Sequence, residues 1–314
     1  MTDPILVFSG SGSRRLTARI CDYLGVTPGQ NETITFSEGN TFVRILENVR
    51  GRRVYLVQST IFPTNDHFME LLFWLDAFRR ASARSITAVI PYFSYAKGDK
   101  KDEPRVSIRA RVCADAIEMA GATRVVTLDL HSPQIQGFFQ VPVDNLYAMP
   151  VLCDRIREMG LENLVVVAPD AGFAKQARRY ARYLQAPSAI ADKERLGHDE
   201  TAQVLEIIGD VRGKTAVIVD DFTITARTLT LVAEQLMDRG ATAVYATVTH
   251  AVFAPGSMER LDESPLVKLL VTDSVENQPV PFSPKIEMVS VAPLLGEAIR
   301  RIHHRESISV MFGS

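Results

Sequence analysis

Residues 214–233, which read KTAVIVDDFTITARTLTLVA, constrain the fold more than any other stretch of the chain. Residues 216–219 are apolar and rich in β-branched side chains, which predicts a buried strand. Asp220 and Asp221 follow at its carboxyl end, then a turn with three threonines, then an apolar-periodic helix from about Leu229. This order is typical of an α/β fold in which N–H groups at a helix start bind an anion.

The acidic pair in this stretch has two chemical interpretations. Two adjacent carboxylates can accept hydrogen bonds from vicinal sugar hydroxyls or bind the water shell of a metal ion. Beside a helix start they would then form a sugar-phosphate site. Alternatively, the aspartates merely cap the helix in an ordinary strand-to-helix turn. The residues of this stretch alone leave both interpretations open.

The composition indicates a globular protein with room for two domains. The chain has 314 residues, of which 46% are hydrophobic, and its net charge of −2 argues against a general nucleic-acid or membrane-surface binder. Its three cysteines lie far apart without a CxxC motif, so neither a disulfide framework nor a zinc site is predicted. Because no long apolar run and no signal-peptide pattern is found, we expect a cytoplasmic protein.

Strand and helix patterns alternate along the chain, and one block occurs twice. VRGR at residues 49–52 and VRGK at residues 211–214 each precede a short apolar strand, a polar loop and a helix. The copies are too far apart for a solenoid repeat, so a duplicated α/β domain explains them better. We therefore expect mostly parallel sheets flanked by helices. The domains should span residues 1–147 and 148–314, with the last helix free to pack back on the first.

Two glycine-rich segments are poor matches to nucleotide-binding motifs. The segment that begins at Ser9 has Arg15 where a dinucleotide-binding fingerprint needs its third glycine. Residues 209–215, GDVRGKT, have one residue too few between the glycines for a P-loop, and they precede a strand instead of following one. We interpret the second segment as a turn.

Several segments make the chain resemble the ribose-phosphate pyrophosphokinases, also called PRPP synthetases, over nearly its whole length. The most specific match is DLHSPQIQGFF at residues 129–139, and PYFSYAKGDKK, PDAG and SVAPLLGEAIRR occur in the family's order. The resemblance implies two type I phosphoribosyltransferase-like domains, an ATP-binding half followed by a ribose 5-phosphate-binding half. It also implies transfer of the diphosphoryl group of ATP to the 1-hydroxyl of ribose 5-phosphate, with Mg²⁺ as cofactor.

The resemblance places nucleotide recognition in the first half of the chain. Phe36 matches the aromatic residue that stacks on adenine, but Asn40 stands where the family has a carboxylate. Lys97 and Gly98 replace an Arg-Gln pair, so the charge is kept while the bidentate fork is lost. The ATP-binding residues implied are Phe36, Glu38, Asn40, Lys97, Asp99 and His131.

In the second half, the resemblance implies a ribose 5-phosphate loop of Asp220, Asp221, Thr223, Thr225, Ala226, Arg227 and Thr228. His131 and Asp170 match metal-associated residues. Lys193 and Arg195, with His131, match catalytic residues, and the first two belong to a mobile loop in the family. Without the resemblance, His131 would be a structural histidine in a turn, and residues 192–200 would be a solvated loop.

Three functions are compatible with the sequence, and two departures from the family pattern bear on the choice between the first two. Ile224 replaces an expected aspartate, and Arg227 replaces an expected glycine. Arg227 either binds the 5-phosphate through its guanidinium or fills the anion site, which would leave a weak or inactive regulatory paralogue. A phosphoribosyltransferase that consumes PRPP is the third candidate. We favour the active synthetase because the acidic pair and the catalytic cations are all retained.

The resemblance also implies partners other than ATP and ribose 5-phosphate. Family members form homo-oligomers, commonly hexamers built from dimers, with nucleotide or phosphate effectors at subunit interfaces. Residues 132–136, SPQIQ, would lie at such an interface. Neither a nucleic-acid partner nor a membrane partner is expected.

Overall fold

The computed structural model describes residues 4–195, 203–276 and 283–311, with side chains given for all but residues 193–195 and 203–205. The chain divides into two compact units. The first comprises residues 4–147, 273–276 and 290–311, and the second comprises residues 148–272 and 283–289 within the described ranges. The last helix belongs to the first unit.

The first unit is a five-stranded parallel sheet flanked by helices, with a separate two-stranded hairpin. The sheet has the strand order β1-β4-β5-β6-β7. Its elements are β1 (Leu6–Ser9), α1 (Arg14–Leu24), β2 (Asn31–Thr35), β3 (Thr41–Ile45), β4 (Arg53–Val57), α2 (Thr64–Arg80), β5 (Ser85–Ile90), α3 (Arg109–Ala120), β6 (Arg124–Leu128), β7 (Val143–Leu146) and α8 (Ala292–His304).

The second unit is a seven-stranded sheet of order β10-β9-β8-β11-β12-β13-β14, parallel except for the antiparallel pair β9–β10. Its elements are α4 (Met149–Glu158), β8 (Leu164–Ala168), α5 (Ala174–Leu184), β9 (Ser188–Arg195), β10 (Gln203–Ile208), β11 (Thr215–Thr223), α6 (Arg227–Asp238), β12 (Ala243–Ala251), α7 (Ser257–Glu263), β13 (Leu266–Thr272) and β14 (Ile286–Val289). The predicted α/β class with mostly parallel sheets is confirmed.

Each sheet builds its core from alternate strand positions. In the first unit, Val54, Leu56 and Ile86 point to the same face and pack with Trp74 and Phe78 of α2. In the second unit, Ala216 and Ile218 of β11 pack with the apolar face of α6. The opposite face of the first sheet carries Tyr55, whose hydroxyl lies 3.4 Å from His303 Nδ1 of α8. Both faces of these strands are covered, so each strand is a continuous apolar run that the sequence shows clearly.

Two element boundaries differ from the sequence expectation. Strand β11 continues to Thr223, so Asp220 and Asp221 lie within the strand and not beyond it. Hydrogen bonding to the long strand β12 extends the ladder, which local composition does not reveal. Helix α6 begins at Arg227 instead of about Leu229. Among the described residues, no helix is long and apolar enough to span a lipid bilayer.

Candidate active site

The acidic pair lies at the carboxyl end of β11, between two other parallel strands. Asp220 is in register with Val248 of β12, and β8 pairs with β11 on the other side. Each carboxylate accepts a hydrogen bond of 2.9 Å from the backbone N–H of the next residue, Asp221 for Asp220 and Phe222 for Asp221. Ligands of open α/β sheets bind at this edge, outside the carboxyl ends of the strands.

The surroundings of Asp220 disfavour its charged form, compared with those of an exposed aspartate. Burial raises its pKa well above the ordinary value, and the neighbouring charge of Asp221 raises it further. A smaller contribution comes from the carboxylate of Asp170. Three carboxyl groups therefore interact at one edge of the sheet. Bound hydroxyl donors or a cation would reduce the repulsion among them.

Asp170 follows β8 and caps a short helical turn. Its carboxylate accepts a hydrogen bond of 2.9 Å from the backbone N–H of Phe173. A Cβ added at Gly172 would lie 3.1 Å from Asp170 Oδ1, so the turn packs tightly around this carboxylate. The turn is therefore compact with Phe173 in it.

The loop between β11 and α6 is held by its backbone carbonyl groups. Val252 N donates to Thr223 O (2.9 Å), and Ala254 N donates to Ile224 O (2.7 Å). Ser257 Oγ also donates to Ile224 O, at 3.1 Å. These carbonyl oxygens are thus occupied by the segment after β12. The expected aspartate at position 224 is not needed for this loop conformation, because backbone contacts maintain it with isoleucine there.

Arg260 is a residue of this loop that the sequence did not reveal. It lies in α7, and its guanidinium donates a hydrogen bond to the backbone carbonyl of Thr225. No motif marks the residue, and only the fold brings α7 beside the loop. Arg260 therefore positions the turn and adds a positive charge next to the helix start.

Helix α6 begins in a conformation that suits an anion site. Ala226 is its N-cap residue, with a left-handed backbone at φ 58°, and its N–H donates to Thr223 Oγ1 at 3.2 Å. Arg227 and Thr228 form the first turn, which contains no acidic residue. The positive backbone angle falls on Ala226 and not on Arg227. The arginine that replaces the family's glycine therefore sits in ordinary helical geometry without strain.

Arg227 is exposed at the amino end of this helix. Within the described ranges, no carboxylate forms an ion pair with its guanidinium, whereas Arg79, Arg80 and Arg157, which are also exposed, each pair with an aspartate. Its backbone N–H lies 3.4 Å from Thr225 Oγ1. A guanidinium, a helix start and threonine hydroxyls thus meet at one place. Together they form a donor set suited to a phosphate group.

Lys193 and Arg195 occupy a regular strand, which corrects the expectation of a loop. Their backbones belong to β9, where Lys193 pairs with Leu205 and Arg195 pairs with Gln203 of β10. Antiparallel pairing of β9 with β10 extends the sheet into a segment whose charged residues predict a solvated loop. Residues 196–200, the rest of the predicted loop, lie outside the described residues.

In the first unit, His131 follows the carboxyl end of β6. The preceding residues are fixed: Asp129 N donates to Leu146 O (2.9 Å), and Leu130 N donates to Asn145 Oδ1 (3.0 Å). Asp129 has a positive φ of 42°, so the chain turns sharply before the histidine. His131 itself is exposed, as a ligand-binding side chain at a strand end should be.

The predicted adenine-stacking residue lies at the tip of the β2–β3 hairpin. Phe36 is 45% exposed and its ring centroid is 6.0 Å from that of Phe42. The turn is closed by Phe36 N donating to Asn40 O at 2.9 Å. Asn40 Nδ2 donates to Glu38 Oε1 at 3.3 Å, so the amide that replaces the expected carboxylate contacts the remaining acid of the turn.

Beside the loop after β5 lies a second residue that sequence reasoning missed, Arg109. A Cβ at Gly98 would lie 2.6 Å from Arg109 Nε and 2.9 Å from Arg109 Cβ, so this arginine occupies the space beside the glycine. Ala110 N also donates to Gly98 O, at 3.1 Å. Arg109 is the first residue of α3 and is exposed. It places a forked guanidinium beside Gly98, where the family's Arg-Gln pair is lost.

The remaining predicted residues are Asp99 and the two metal-associated residues, His131 and Asp170. Asp99 follows Gly98 in the same loop and is half-buried. His131 belongs to the first unit and Asp170 to the second. Among the residues that the structure describes, no three histidine, cysteine or acidic side chains form a cluster able to hold a metal ion.

Comparisons with known proteins identify the family of this chain. Residues 5–121 match the family model for the N-terminal domain of ribose phosphate pyrophosphokinase, and residues 198–313 match the phosphoribosyl synthetase-associated domain. The ribose-phosphate pyrophosphokinase of Synechococcus elongatus is 49% identical over 311 residues, covering 98% of this chain and 93% of its own length. That of Oceanobacillus iheyensis is 45% identical, covering 98% and 96%.

A solved structure extends the similarity to three dimensions. The phosphoribosylpyrophosphate synthetase of Mycobacterium smegmatis is 34% identical, has a TM-score of 0.91, and covers 96% of this chain and 100% of its own. Sequence identity and fold thus agree over both units. The chain therefore belongs to the ribose-phosphate pyrophosphokinase family.

Proposed function

We propose that this chain is an active ribose-phosphate diphosphokinase, which transfers the diphosphoryl group of ATP to the 1-hydroxyl of ribose 5-phosphate and releases AMP. Family membership over nearly the whole length supports the reaction. The observation that supports activity is the intact donor set around Arg227, next to the acidic pair. An anion site blocked by bulk would need a strained or buried arginine, and Arg227 is neither.

In the second unit, the proposal assigns the sugar hydroxyls to the acidic pair. Asp220 and Asp221 would accept hydrogen bonds from the vicinal hydroxyls of ribose. Arg227, the N–H groups at the start of α6 and the hydroxyls of Thr223, Thr225 and Thr228 would bind the 5-phosphate. Ala226 contributes its left-handed backbone, which turns the chain into the helix. This arrangement orients the 1-hydroxyl as nucleophile.

In the first unit, the proposal assigns ATP to the loops after β5 and β6 and to the β2–β3 hairpin. Phe36 would stack on adenine, with Glu38 and Asn40 beside it. Lys97, Asp99 and His131 would contact ATP, and Arg109 would supply the fork that Lys97 lacks. The altered contacts at Asn40 and Gly98 suggest that the nucleotide is held less by base recognition than by its phosphates.

The catalytic cations of the proposal are Lys193 and Arg195. Positive charges over the transferring phosphorus stabilise the charge that develops in the transition state. The carboxylate of Asp170 is an oxygen ligand of the kind that a divalent cation prefers. We assign the metal to His131 and Asp170 and identify it as Mg²⁺, which when bound neutralises charge on the triphosphate.

The proposal includes a homo-oligomer built from dimers, and a cytoplasmic location. Residues 132–136 follow His131 and are the expected interface, and nucleotides or phosphate would act as effectors. All three cysteines are free and buried, as in a protein of a reducing compartment. Analytical ultracentrifugation at several protein concentrations would determine the oligomeric state.

The decisive experiment measures both products. The purified protein is incubated with ribose 5-phosphate, Mg²⁺ and ATP, and AMP and PRPP are quantified together, with Arg227→Gly assayed in parallel. Stoichiometric AMP and PRPP from the unmodified protein establish the synthetase. Inactivity that the glycine variant relieves would establish the regulatory paralogue instead. Consumption of PRPP with a base, in the absence of ATP, would establish a phosphoribosyltransferase.

A further inference from the structure

Helix α2 carries a buried carboxylate that the proposed reaction does not use. Glu70 is 2% exposed and lies beside Leu71 and Trp74 of the same helix, which are fully buried. A carboxylate loses its hydration on burial, so it is buried only where other groups satisfy its charge. The partners of Glu70 therefore indicate why an acidic residue stands here.

Five donors, all of them uncharged, point at this carboxylate. Its Oε1 accepts hydrogen bonds from Ser11 N (2.9 Å), Thr33 Oγ1 (3.1 Å) and Trp74 Nε1 (3.2 Å). Its Oε2 accepts from Ser11 Oγ and from Gln58 Nε2, the latter at 3.2 Å. The amide of Gln58 is itself oriented, because its oxygen accepts from Gly12 N at 3.0 Å. A glutamine at position 70 would have a single acceptor oxygen and would leave donors on its other side unsatisfied.

These donors join three segments to α2. Ser11 belongs to the turn after β1, Gln58 to the loop after β4, and Thr33 to strand β2 of the hairpin. Because β1 and β4 are parallel neighbours, the first two segments meet at the carboxyl edge of the sheet. Thr33 differs, because β2 and β3 form a two-stranded sheet of their own. Its hydrogen bond to Glu70 therefore ties a separate element to the rest of the first unit.

Two polar contacts fix the direction of β2. At its start, Asn31 Nδ2 donates to Ser9 O at 2.6 Å. At its centre, the hydroxyl of Thr33 donates to Glu70, and Phe36 follows three residues later. Apolar side chains of β3 also pack against the core, but such contacts are not directional. The contact with Glu70 therefore sets the direction in which the strand leads to Phe36.

We propose that Glu70 is a positioning residue of the nucleotide site, which holds the β2–β3 hairpin through Thr33 and thereby sets the place of Phe36. The inference rests on the proposed function, in which Phe36 stacks on adenine. A hydrogen bond to a charged acceptor is roughly twice as strong as one between neutral groups. When this bond is lost, the hairpin adopts further orientations, and the apparent affinity for the nucleotide falls with the fraction that is competent to bind.

The test removes the contact from the side of the hairpin. Thr33→Val removes the donor with little change in side-chain size, whereas Thr33→Ser keeps the donor. Thr35→Val is the matched control, because Thr35 is exposed and lies two residues farther along β2. Calorimetry with ATP and Mg²⁺, in the absence of ribose 5-phosphate, measures the dissociation constant for ATP. Steady-state assays measure kcat and the KM values for both substrates.

Thr33→Val should raise the dissociation constant and the KM for ATP at least about fivefold, and leave kcat and the KM for ribose 5-phosphate unchanged. Thr33→Ser should recover most of the affinity, and Thr35→Val should equal the unmodified protein. Glu70→Gln should weaken ATP binding at least as much as Thr33→Val. Adding Thr33→Val to Glu70→Gln should then cost little more, because the acceptor is already altered. If the Glu70→Gln protein does not fold, the threonine variants alone decide the question.

Equal dissociation constants for ATP in Thr33→Val and Thr35→Val would overturn the inference, even if the protein makes AMP and PRPP. So would a Thr33→Val protein that loses kcat at an unchanged KM for ATP, because that result means a loss of active protein. Binding of ATP without any product would contradict the proposed function instead, and the ratio of the two dissociation constants would still decide the role of Glu70. An unmodified protein that does not bind ATP would overturn both.

Discussion

Helix α3 in the first unit and helix α6 in the second both begin with an arginine, but the family pattern changes in opposite directions around them. In the first unit, Gly98 stands where the family has a side chain, and Arg109 packs into the vacated space. In the second unit, Arg227 stands where the family has glycine, and its guanidinium extends from the helix start. Both changes leave an exposed guanidinium where phosphate is expected.

The difference lies in where the compensation comes from. Arg227 compensates for its own substitution, because the left-handed backbone angle belongs to Ala226 and the glycine was not sterically required. The change at Gly98 is compensated by a residue on another element, which the sequence does not link to it. A departure from a motif therefore cannot be judged by its own side chain alone.

The largest effect should come from the acidic pair next to Arg227. Asp220→Asn removes a hydrogen-bond acceptor for the ribose hydroxyls, and we expect kcat/KM for ribose 5-phosphate to fall by about 100-fold or more. The same change removes charge repulsion with Asp221, so the melting temperature should not fall. Steady-state kinetics and calorimetry test both parts. A retained kcat/KM would mean that the second unit binds its sugar elsewhere.

A smaller effect should follow from removing the guanidinium of α6. Arg227→Ala should raise KM for ribose 5-phosphate about 10- to 100-fold, as expected for a charged hydrogen bond of about 1.5–3 kcal/mol. Arg227→Lys should recover part of the loss, since it keeps the charge without the fork. Arg239→Ala, at the other end of the same helix, is the control. An unchanged KM in Arg227→Ala would show that Arg227 does not bind the substrate phosphate, unlike the role expected of Arg109.

The corresponding change in the first unit should act on the other substrate. Arg109→Ala should raise KM for ATP about tenfold and leave KM for ribose 5-phosphate unchanged, because one guanidinium contact to phosphate is lost. Arg80→Ala, on the exposed face of α2, is the control. If the ribose 5-phosphate KM changed instead, the assignment of Arg109 to ATP would be wrong.

The smallest effect should come from the close approach of Gly98 and Arg109. Gly98→Ala places a Cβ 2.6 Å from Arg109 Nε, so the arginine must shift. We expect a destabilisation of about 1 kcal/mol, or a melting temperature lower by roughly 2–4 °C. In the Arg109→Ala background the same change should cost much less, which a double-mutant cycle measures. Equal costs in both backgrounds would show that the contact does not restrict position 98.

The sequence by itself determined the fold class and the family. Apolar strands that alternate with helices predict parallel sheets, because a strand that is covered on both faces must be apolar throughout. The structure confirms the parallel sheets. Motifs such as residues 129–139 and the acidic pair were visible because their chemistry is local. The structure places Asp220 near the carboxyl end of β11 and Asp170 after the neighbouring strand β8, because parallel strands bring these ends to one edge of the sheet.

Only the tertiary structure decided which side chains support those motifs. Arg109 against Gly98 and Arg260 on the carbonyl of Thr225 come from elements that no local pattern connects. The same holds for an arginine-lined cavity at the amino edge of the first sheet, whose residues come from three strand starts and a helix end. Hydrogen bonds and charge interactions act over a few ångströms in space. Their partners are therefore set by how strands and helices pack, and not by distance along the chain.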